Sequence, residues 1–143
     1  MEHHTILRVV TKLLVPFIML FALYVQFHGD YGPGGGFQAG VIFGAAFILH
    51  GLLFGVESVL RVAPPRIVLA LTACGVLLYA GVGVVTLLLG GNYLDYNVLA
   101  ADPVAGQHLG ILLIELGVGT TVAATMILLF YAFGLRSDET VDQ

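Results

Sequence analysis

The sequence predicts an all-α integral membrane protein with four transmembrane helices and both termini in the cytoplasm. Of its 143 residues, 59% are hydrophobic and only 10% are charged, whereas soluble domains carry about 25% charged residues. The mean hydropathy is +1.01. The charged residues lie in short stretches between long apolar runs and do not cover a surface. We therefore expect a lipid bilayer to surround most of this chain.

Four apolar segments approach the roughly 20 residues that a helix needs to cross about 30 Å of hydrocarbon. Each should be helical, because lipid offers no partner for unpaired backbone N–H and C=O groups. The predicted spans are 9–27, 37–56, 67–89 and 110–135, followed by an acidic C-terminal tail, 136–143. The connectors are short and rich in turn-forming residues. We therefore expect one membrane domain over residues 1–143.

The orientation follows from the five Lys and Arg residues. Positively charged residues in short flanking segments are retained on the cytoplasmic side of the membrane. The four predicted crossings place all five on one side: Arg8, Lys12, Arg61, Arg66 and Arg136. The opposite connectors contain neither Lys nor Arg. This distribution predicts that both termini are cytoplasmic.

Several functional classes are excluded by what the sequence lacks. The formal charge of −4 arises largely from the tail, and no basic stripe suggests binding to nucleic acid. The single cysteine, Cys74, lies in an apolar run, so we expect neither a disulfide nor a metal-binding thiol pair. No nucleophile, base and acid can be assembled into a catalytic set. We expect no enzymatic activity in this chain and no cofactor.

The most unusual stretch is residues 29–40, with the sequence GDYGPGGGFQAG. Glycine adopts positive φ without steric cost and lets other groups approach the main chain, while proline fixes one bend. The segment therefore suits a tight or re-entrant turn between the first two spans. It lacks the Lys-Ser/Thr ending of a phosphate-binding loop. A plain helical hairpin and a turn that contacts an ion both fit this pattern.

Small residues also mark faces of the spans that another helix can approach. Gly36, Gly40 and Gly44 repeat every four residues in the second span. Small residues at this spacing let helix backbones pack closely in membranes. The predicted packing glycines are Gly40, Gly44, Gly51, Gly55, Gly117 and Gly119. The partner helix can belong to this chain or to another subunit.

Glu115 is the residue of the fourth span whose transfer into the membrane is least favourable in free energy. A carboxylate inside a spanning helix costs several kcal/mol unless it faces protein or water. With a span that starts at residue 110, Glu115 would lie about 7 Å below the outer end of its helix. Gly119 and Ala123 follow on the same face. We expect Glu115 to face protein, either as a proton- or cation-exchanging group or as a neutral acid that is hydrogen-bonded between helices.

His50 is the second polar residue inside a span. An imidazole can relay protons near neutral pH. It lies about 20 Å below the outer end of its helix, so His50 and Glu115 should differ by about 12 Å in depth. A direct pair between the two side chains is therefore not expected. The structural alternative is a histidine whose hydrogen bonds are satisfied at a helix interface.

Two motifs carry a resemblance to a known family. Residues 24–40, with the sequence YVQFHGDYGPGGGFQAG, resemble the B subunit of Mrp-type multisubunit sodium/proton antiporters, also called Mnh or Sha. Residues 108–119 are similar to the fourth-helix motif of that family. The resemblance covers almost the whole chain and includes the number of helices.

The resemblance implies a small, multi-pass subunit of an antiporter in the bacterial cell membrane. Its partners would be the other antiporter subunits, the lipid bilayer, and Na⁺ and H⁺ as transported ions. In the family, the Gly-rich segment matters for complex integrity and activity. The corresponding positions here are Gly32, Pro33, Gly34, Gly35, Gly36, Phe37 and Gly40. A subunit of a membrane-bound hydrogenase or a related ferredoxin-linked complex is the alternative, and a stand-alone structural or channel-like protein is the third possibility.

Overall fold

The described part of the chain is built from α-helices. A computed structural model describes residues 2–29, 31–32 and 34–139, and within these ranges it contains no strand. The helices, numbered along the chain, are α1 (Glu2–His28), α2 (Gly36–Phe54), α3 (Val56–Val62), α4 (Pro65–Leu88) and α5 (Pro103–Glu139). A 3-10 helix, Tyr96–Leu99, precedes α5.

Four of these helices are long and apolar enough to cross a membrane. The apolar stretches are Thr5–His28, Gly36–Phe54, Pro65–Leu88 and Pro103–Leu135. Their mean hydropathies lie between 1.8 and 2.3. The prediction of an all-α protein with four transmembrane helices is confirmed, while the side on which the termini lie stays a prediction.

Helix α5 begins seven residues before the predicted span. Its first residue is Pro103, whose missing N–H would have no partner in the first turn of a helix. Asp102 caps this end, because its carboxylate accepts a hydrogen bond from the N–H of Ala105 at 3.3 Å. At the other end α5 continues to Glu139. The predicted acidic tail therefore starts inside this helix, and residues 140–143 lie outside the described part.

The second predicted span extends beyond the end of α2. This helix stops at Phe54, and Gly55 has a φ of 89°, a conformation that favours glycine. The chain then enters the short helix α3, most of which lies in the predicted connector between the second and third spans. A methyl group at Gly55 would meet nothing within 4 Å. Within this chain Gly55 thus permits a turn between helices and packs on no described neighbour, and its role in packing stays a prediction.

Helix α5 lies at the centre of the bundle. It packs against both α2 and α4, while α1 packs mainly on α2. A buried core joins α3, α4 and α5 near the end of α2, and it contains Val59, Val68, Ala124, Ile127 and Tyr131. The Tyr131 hydroxyl donates a hydrogen bond to the Ala63 carbonyl at 2.7 Å. This bond ties the connector between α3 and α4 to α5.

The connector between α4 and α5 is held by Thr86. This buried residue donates a hydrogen bond to the Gly83 carbonyl at 2.8 Å and accepts one from the N–H of Leu94 at 3.0 Å. The Tyr96 ring then packs on Gly110. Burial, followed by the neighbouring tyrosines, raises the pKa of the Tyr96 hydroxyl. These contacts hold the first turns of α5 beside the end of α4.

Candidate functional site

Glu115 lies where α5 crosses the turn between α1 and α2. The side chain is partly buried, and its Oε1 atom faces the backbone of the turn. A Cβ atom built on Gly29 would lie 2.7 Å from this oxygen, and one built on Gly35 would lie 3.4 Å from it. The glycines therefore let the main chain approach the carboxylate more closely than other residues would.

The turn is fixed to the last residues of α1. The N–H of Gly35 donates to the Val25 carbonyl at 3.4 Å, and the N–H of Tyr31 donates to the His28 carbonyl at 3.0 Å. Gly35 has a φ of 128°, which favours glycine at this position. Pro33, which the sequence singles out in this segment, lies outside the described residues.

The other residues of the Gly-rich segment face in two directions. A Cβ at Gly34 would lie 2.9 Å from the Val25 carbonyl oxygen, and one at Gly32 would lie 3.0 Å from Nε2 of His28. Phe37, in the first turn of α2, is 64% exposed. Two glycines thus pack inside the hairpin, whereas the aromatic ring points away from this chain.

The glycines of α2 form a close crossing with α5 of the same chain. A Cβ at Gly40 would lie 2.6 Å from the Gly119 carbonyl oxygen, and one at Gly36 would overlap the backbone carbonyl of Glu115. Gly44 faces the next turn of α5 in the same way. Between the two alternatives for this face, packing inside the chain agrees with this geometry.

The remaining predicted glycines meet different neighbours. Gly51 faces the Phe130 ring, which leaves no space for a methyl group. A Cβ at Gly119 would lie 2.5 Å from Oε1 of Gln26 on α1. Gly119 therefore brings α1, as well as α2, close to α5.

A glycine crossing between α4 and α5 sets the depth of Glu115. A Cβ at Gly117 would lie 2.9 Å from the carbonyl oxygen of Gly75, which is near the middle of α4. Glu115 is about 3 Å from Gly117 along the helix axis and about 18 Å from the start of α5. The expected depth of 7 Å is therefore too small, because α5 starts at Pro103. The carboxylate and the Gly-rich turn lie roughly level with the middle of α4.

A cavity of about 290 Å³ opens beside Glu115. Its polar walls include Gln26, Tyr31 and His108, and the Tyr31 and His108 rings stack with their centroids 6.4 Å apart. Gln26 is 5% exposed, and its buried Nε2 atom has no hydrogen-bond partner among the described residues. Buried amides of this kind are commonly satisfied by water or a polar ligand. The cavity is therefore suited to water or to a hydrated ion.

Gln26 and His108 belong to the two family motifs, but neither is among the site residues predicted from the sequence. Gln26 is a polar residue within the apolar first span, and this feature alone would have marked it. His108 precedes Glu115 by seven residues, or about two helical turns, which places both on one face of α5. The periodicity of α5 was therefore a usable signal.

His50 is not part of this site. Its ring stacks on Phe54 with the centroids 4.6 Å apart. It follows Gly36 by 14 residues, which corresponds to about 21 Å along α2. Because Gly36 packs on Glu115, the separation in depth exceeds the 12 Å expected from the sequence. The structure therefore separates the two ion-pathway candidates, His50 and Glu115.

The sequence that forms this site matches a known protein family. The model of a domain related to the MnhB subunit of Na⁺/H⁺ antiporters matches residues 6–128. The match includes Gln26, the Gly-rich turn and Glu115. The chain belongs to the MnhB family. Three relatives of this MnhB-family chain, from Staphylococcus aureus strains Newman, JH1 and Mu3, are named antiporter subunit mnhB2 and are each 37% identical over 131 residues. The alignment covers 88% of this chain and 91% of each relative.

The MnhB-family chain is thus a small subunit of a multisubunit Na⁺/H⁺ antiporter. Family membership and four apolar helices make it a multi-pass protein of the bacterial membrane. It is a component of a transporter, and other antiporter subunits are its partners. The resemblance and the function predicted from the sequence are confirmed.

Proposed function

We propose that this subunit contributes Glu115 to the cation and proton path of the antiporter. The observation that carries the proposal is the placement of its carboxylate against a glycine turn, level with the middle of a spanning helix and beside a polar cavity. A structural acid between helices would not require a cavity. The cavity gives water or an ion a route to the carboxylate.

Two opposing effects act on the charge of this carboxylate. An acidic group inside a spanning segment costs roughly 3 kcal/mol when it is ionised. The N-terminus of α2 lies beside Glu115, and a helix N-terminus stabilises a partly buried anion by up to about 2 kcal/mol. The two contributions oppose each other and are of similar size. An exchanging carboxylate requires this condition, because it must bind and release a proton.

Other subunits complete the path. A Na⁺ ion needs several converging oxygen ligands, and the cavity supplies only part of such a shell through Glu115, Gln26 and Tyr31. The exposed Phe37 lies in the first turn of α2, next to the site, where a neighbouring subunit can cover it. The subunit has no catalytic residues of its own, and it serves both assembly and ion transfer. The isolated chain should therefore not exchange Na⁺ for H⁺ in liposomes.

The proposed orientation places both termini in the cytoplasm. Helices α1 and α2 then form a hairpin whose glycine turn is recessed from the outer surface. A reporter fused after Gln143 should be active only if it is a cytoplasmic reporter. Activity of a periplasmic reporter at that position would reverse the assigned orientation.

Substitution of Glu115 separates the ion-exchange role from a structural role. Glu115→Gln keeps the shape and hydrogen-bonding capacity but cannot ionise, whereas Glu115→Ala removes both properties. Each variant should be measured for assembly into the antiporter and for Na⁺/H⁺ exchange in everted vesicles from pH 6 to pH 9, a range of about three units around neutrality. We expect the Gln variant to assemble normally and to lose exchange or shift its pH profile. Normal exchange by the Gln variant across this range, with impaired assembly of the Ala variant, would make Glu115 a structural residue.

A further inference from the structure

A cationic cavity lies at the end of the α1–α2 hairpin opposite Glu115. Arg8 and Lys12 are one helical turn apart on α1, and Phe54 ends α2. The Arg8 guanidinium carbon lies 5.3 Å from the centre of the Phe54 ring, and the Lys12 ammonium lies 5.4 Å from the same centre. Together with Thr5 and Val9, these residues line a cavity of about 360 Å³.

The two charges in this cavity lack an acidic neighbour among the described side chains. On α3, by contrast, Arg61 lies 4.0 Å from the carboxylate of Glu57. A cation over an aromatic ring is attracted by the ring, but a second cation over the same ring repels the first. An anion held between the two would offset this repulsion. The site therefore matches a ligand that carries negative charge.

The position of the cavity indicates the source of that anion. Phe54 follows Gly36 by 18 residues, or about 27 Å along α2. Gly36 packs on Glu115, roughly level with the middle of α4, and half of the hydrocarbon layer is only about 15 Å thick. The cavity at Phe54 is therefore beyond the hydrocarbon, on the side of the headgroups. Along α1, the exposed apolar residues Val9, Leu13 and Phe17 continue from the cavity toward the middle of the helix at intervals of four. They form one surface along which an acyl chain can lie.

We propose that Arg8 and Lys12 bind the phosphate of an anionic phospholipid. The phosphate lies between the two cations, Thr5 offers a hydroxyl to the headgroup, and an acyl chain covers Val9 and Leu13. Arg and Lys beside an anionic phosphate form charge-assisted hydrogen bonds. Basic cavities between transmembrane helices are suited to lipid headgroups of this kind. This proposal is independent of the role of Glu115.

The test uses the assembled antiporter in vesicles of phosphatidylethanolamine with a minor fraction of a photoactivatable phosphatidylglycerol. Crosslinks to residues 5–17 of this subunit are quantified by mass spectrometry. The double variant Arg8→Gln, Lys12→Gln should lower the crosslinked fraction about tenfold or more, since each cation near the surface contributes to anion binding. The matched control is Arg61→Gln, Arg66→Gln, which removes the same charge from the same side of the protein and should leave the fraction unchanged.

Two further arms separate the alternatives. The charge-preserving variant Arg8→Lys, Lys12→Arg should retain crosslinking, which shows that the charge and not the local fold is responsible. Excess free glycerol phosphate should not compete, whereas unlabelled phosphatidylglycerol should. Equal crosslinking in the wild type and the Gln double variant would overturn the proposal, as would an equal loss in the Arg61, Arg66 control. Competition by glycerol phosphate would mean that the site binds a soluble phosphate, and loss of a neighbouring subunit without loss of lipid would assign the cations to a protein partner.

Discussion

Replacing Gly40 with alanine should force α2 and α5 apart. The added methyl carbon would lie 2.6 Å from the Gly119 carbonyl oxygen and 2.9 Å from Cβ of Val122, whereas ordinary contacts begin at 3.4 Å. Neither neighbour can rotate away, because one is a main-chain atom and the other is the branch point of a valine. The helices must therefore separate by about 0.8 Å at this crossing.

The expected cost comes from overpacking. Inserting a methyl group into a well-packed contact costs about 1–3 kcal/mol. Alanine is preferred over glycine inside a helix by about 1 kcal/mol, which acts in the opposite direction. A matched control removes this second effect: at Gly81, on α4, a methyl group would meet nothing within 4 Å of this chain. The difference between Gly40→Ala and Gly81→Ala should therefore isolate the overpacking cost.

The assay is thermal unfolding of the purified antiporter, together with the fraction of tagged subunit that enters it. Gly40→Ala should unfold at a lower temperature than Gly81→Ala and should enter the complex less efficiently. A difference of 1 kcal/mol or more lowers the ratio of folded to unfolded protein by about fivefold or more. Equal unfolding temperatures and equal incorporation for the two variants would refute the close crossing of α2 and α5.

Three other outcomes follow from single contacts. Tyr131→Phe removes the hydroxyl that donates to the Ala63 carbonyl and should destabilise the subunit by about 1 kcal/mol, measured as a lower unfolding temperature with unchanged ion selectivity. Gly75→Ala places a methyl group against Thr121 and the α5 backbone; it should reduce assembly, and normal assembly would mean that α4 and α5 are farther apart. Gln26→Met keeps the size of the side chain but removes its amide from the cavity; it should lower exchange more than assembly, and unchanged exchange would exclude Gln26 from the path.

The sequence was sufficient to predict the number of spanning helices. Each of the four apolar runs is close to 20 residues long, which is enough to cross the membrane as a helix. A helix is the expected structure, because each segment must pair its own backbone N–H and C=O groups in lipid. Hydropathy did not predict the ends of the helices. Helix α5 starts at Pro103, within a stretch that was predicted to be a turn because it contains Asp102 and Pro103. The same two residues are also favoured at the start of a helix, aspartate as the N-cap and proline in the first turn. The short helix α3 was not predicted, because its seven residues are too few to show the repeat of apolar residues that marks a helix.

The candidate site was only partly predictable. Glu115 was identified from the cost of an acid in an apolar helix, which depends on composition alone. Its contact with the Gly-rich turn depends on the register between α2 and α5, and that register is set by glycine contacts between residues that are far apart in sequence. Gln26 joined the site for the same reason, since Gly119 lets α1 approach α5. The positions at which two helices cross cannot be predicted from the periodicity of either helix alone.

The most direct test of the central claim is whether Glu115 changes its protonation when Na⁺ binds. Infrared difference spectra of the assembled antiporter, recorded with and without Na⁺, report protonated carboxylic acids through their carbonyl stretch. The wild type should show a loss of this band when Na⁺ is added, and the loss should be absent from an assembled Glu115→Gln variant. Identical Na⁺-induced carboxyl bands in the wild type and the variant would contradict the account, because the protonation of Glu115 would then not change when Na⁺ binds.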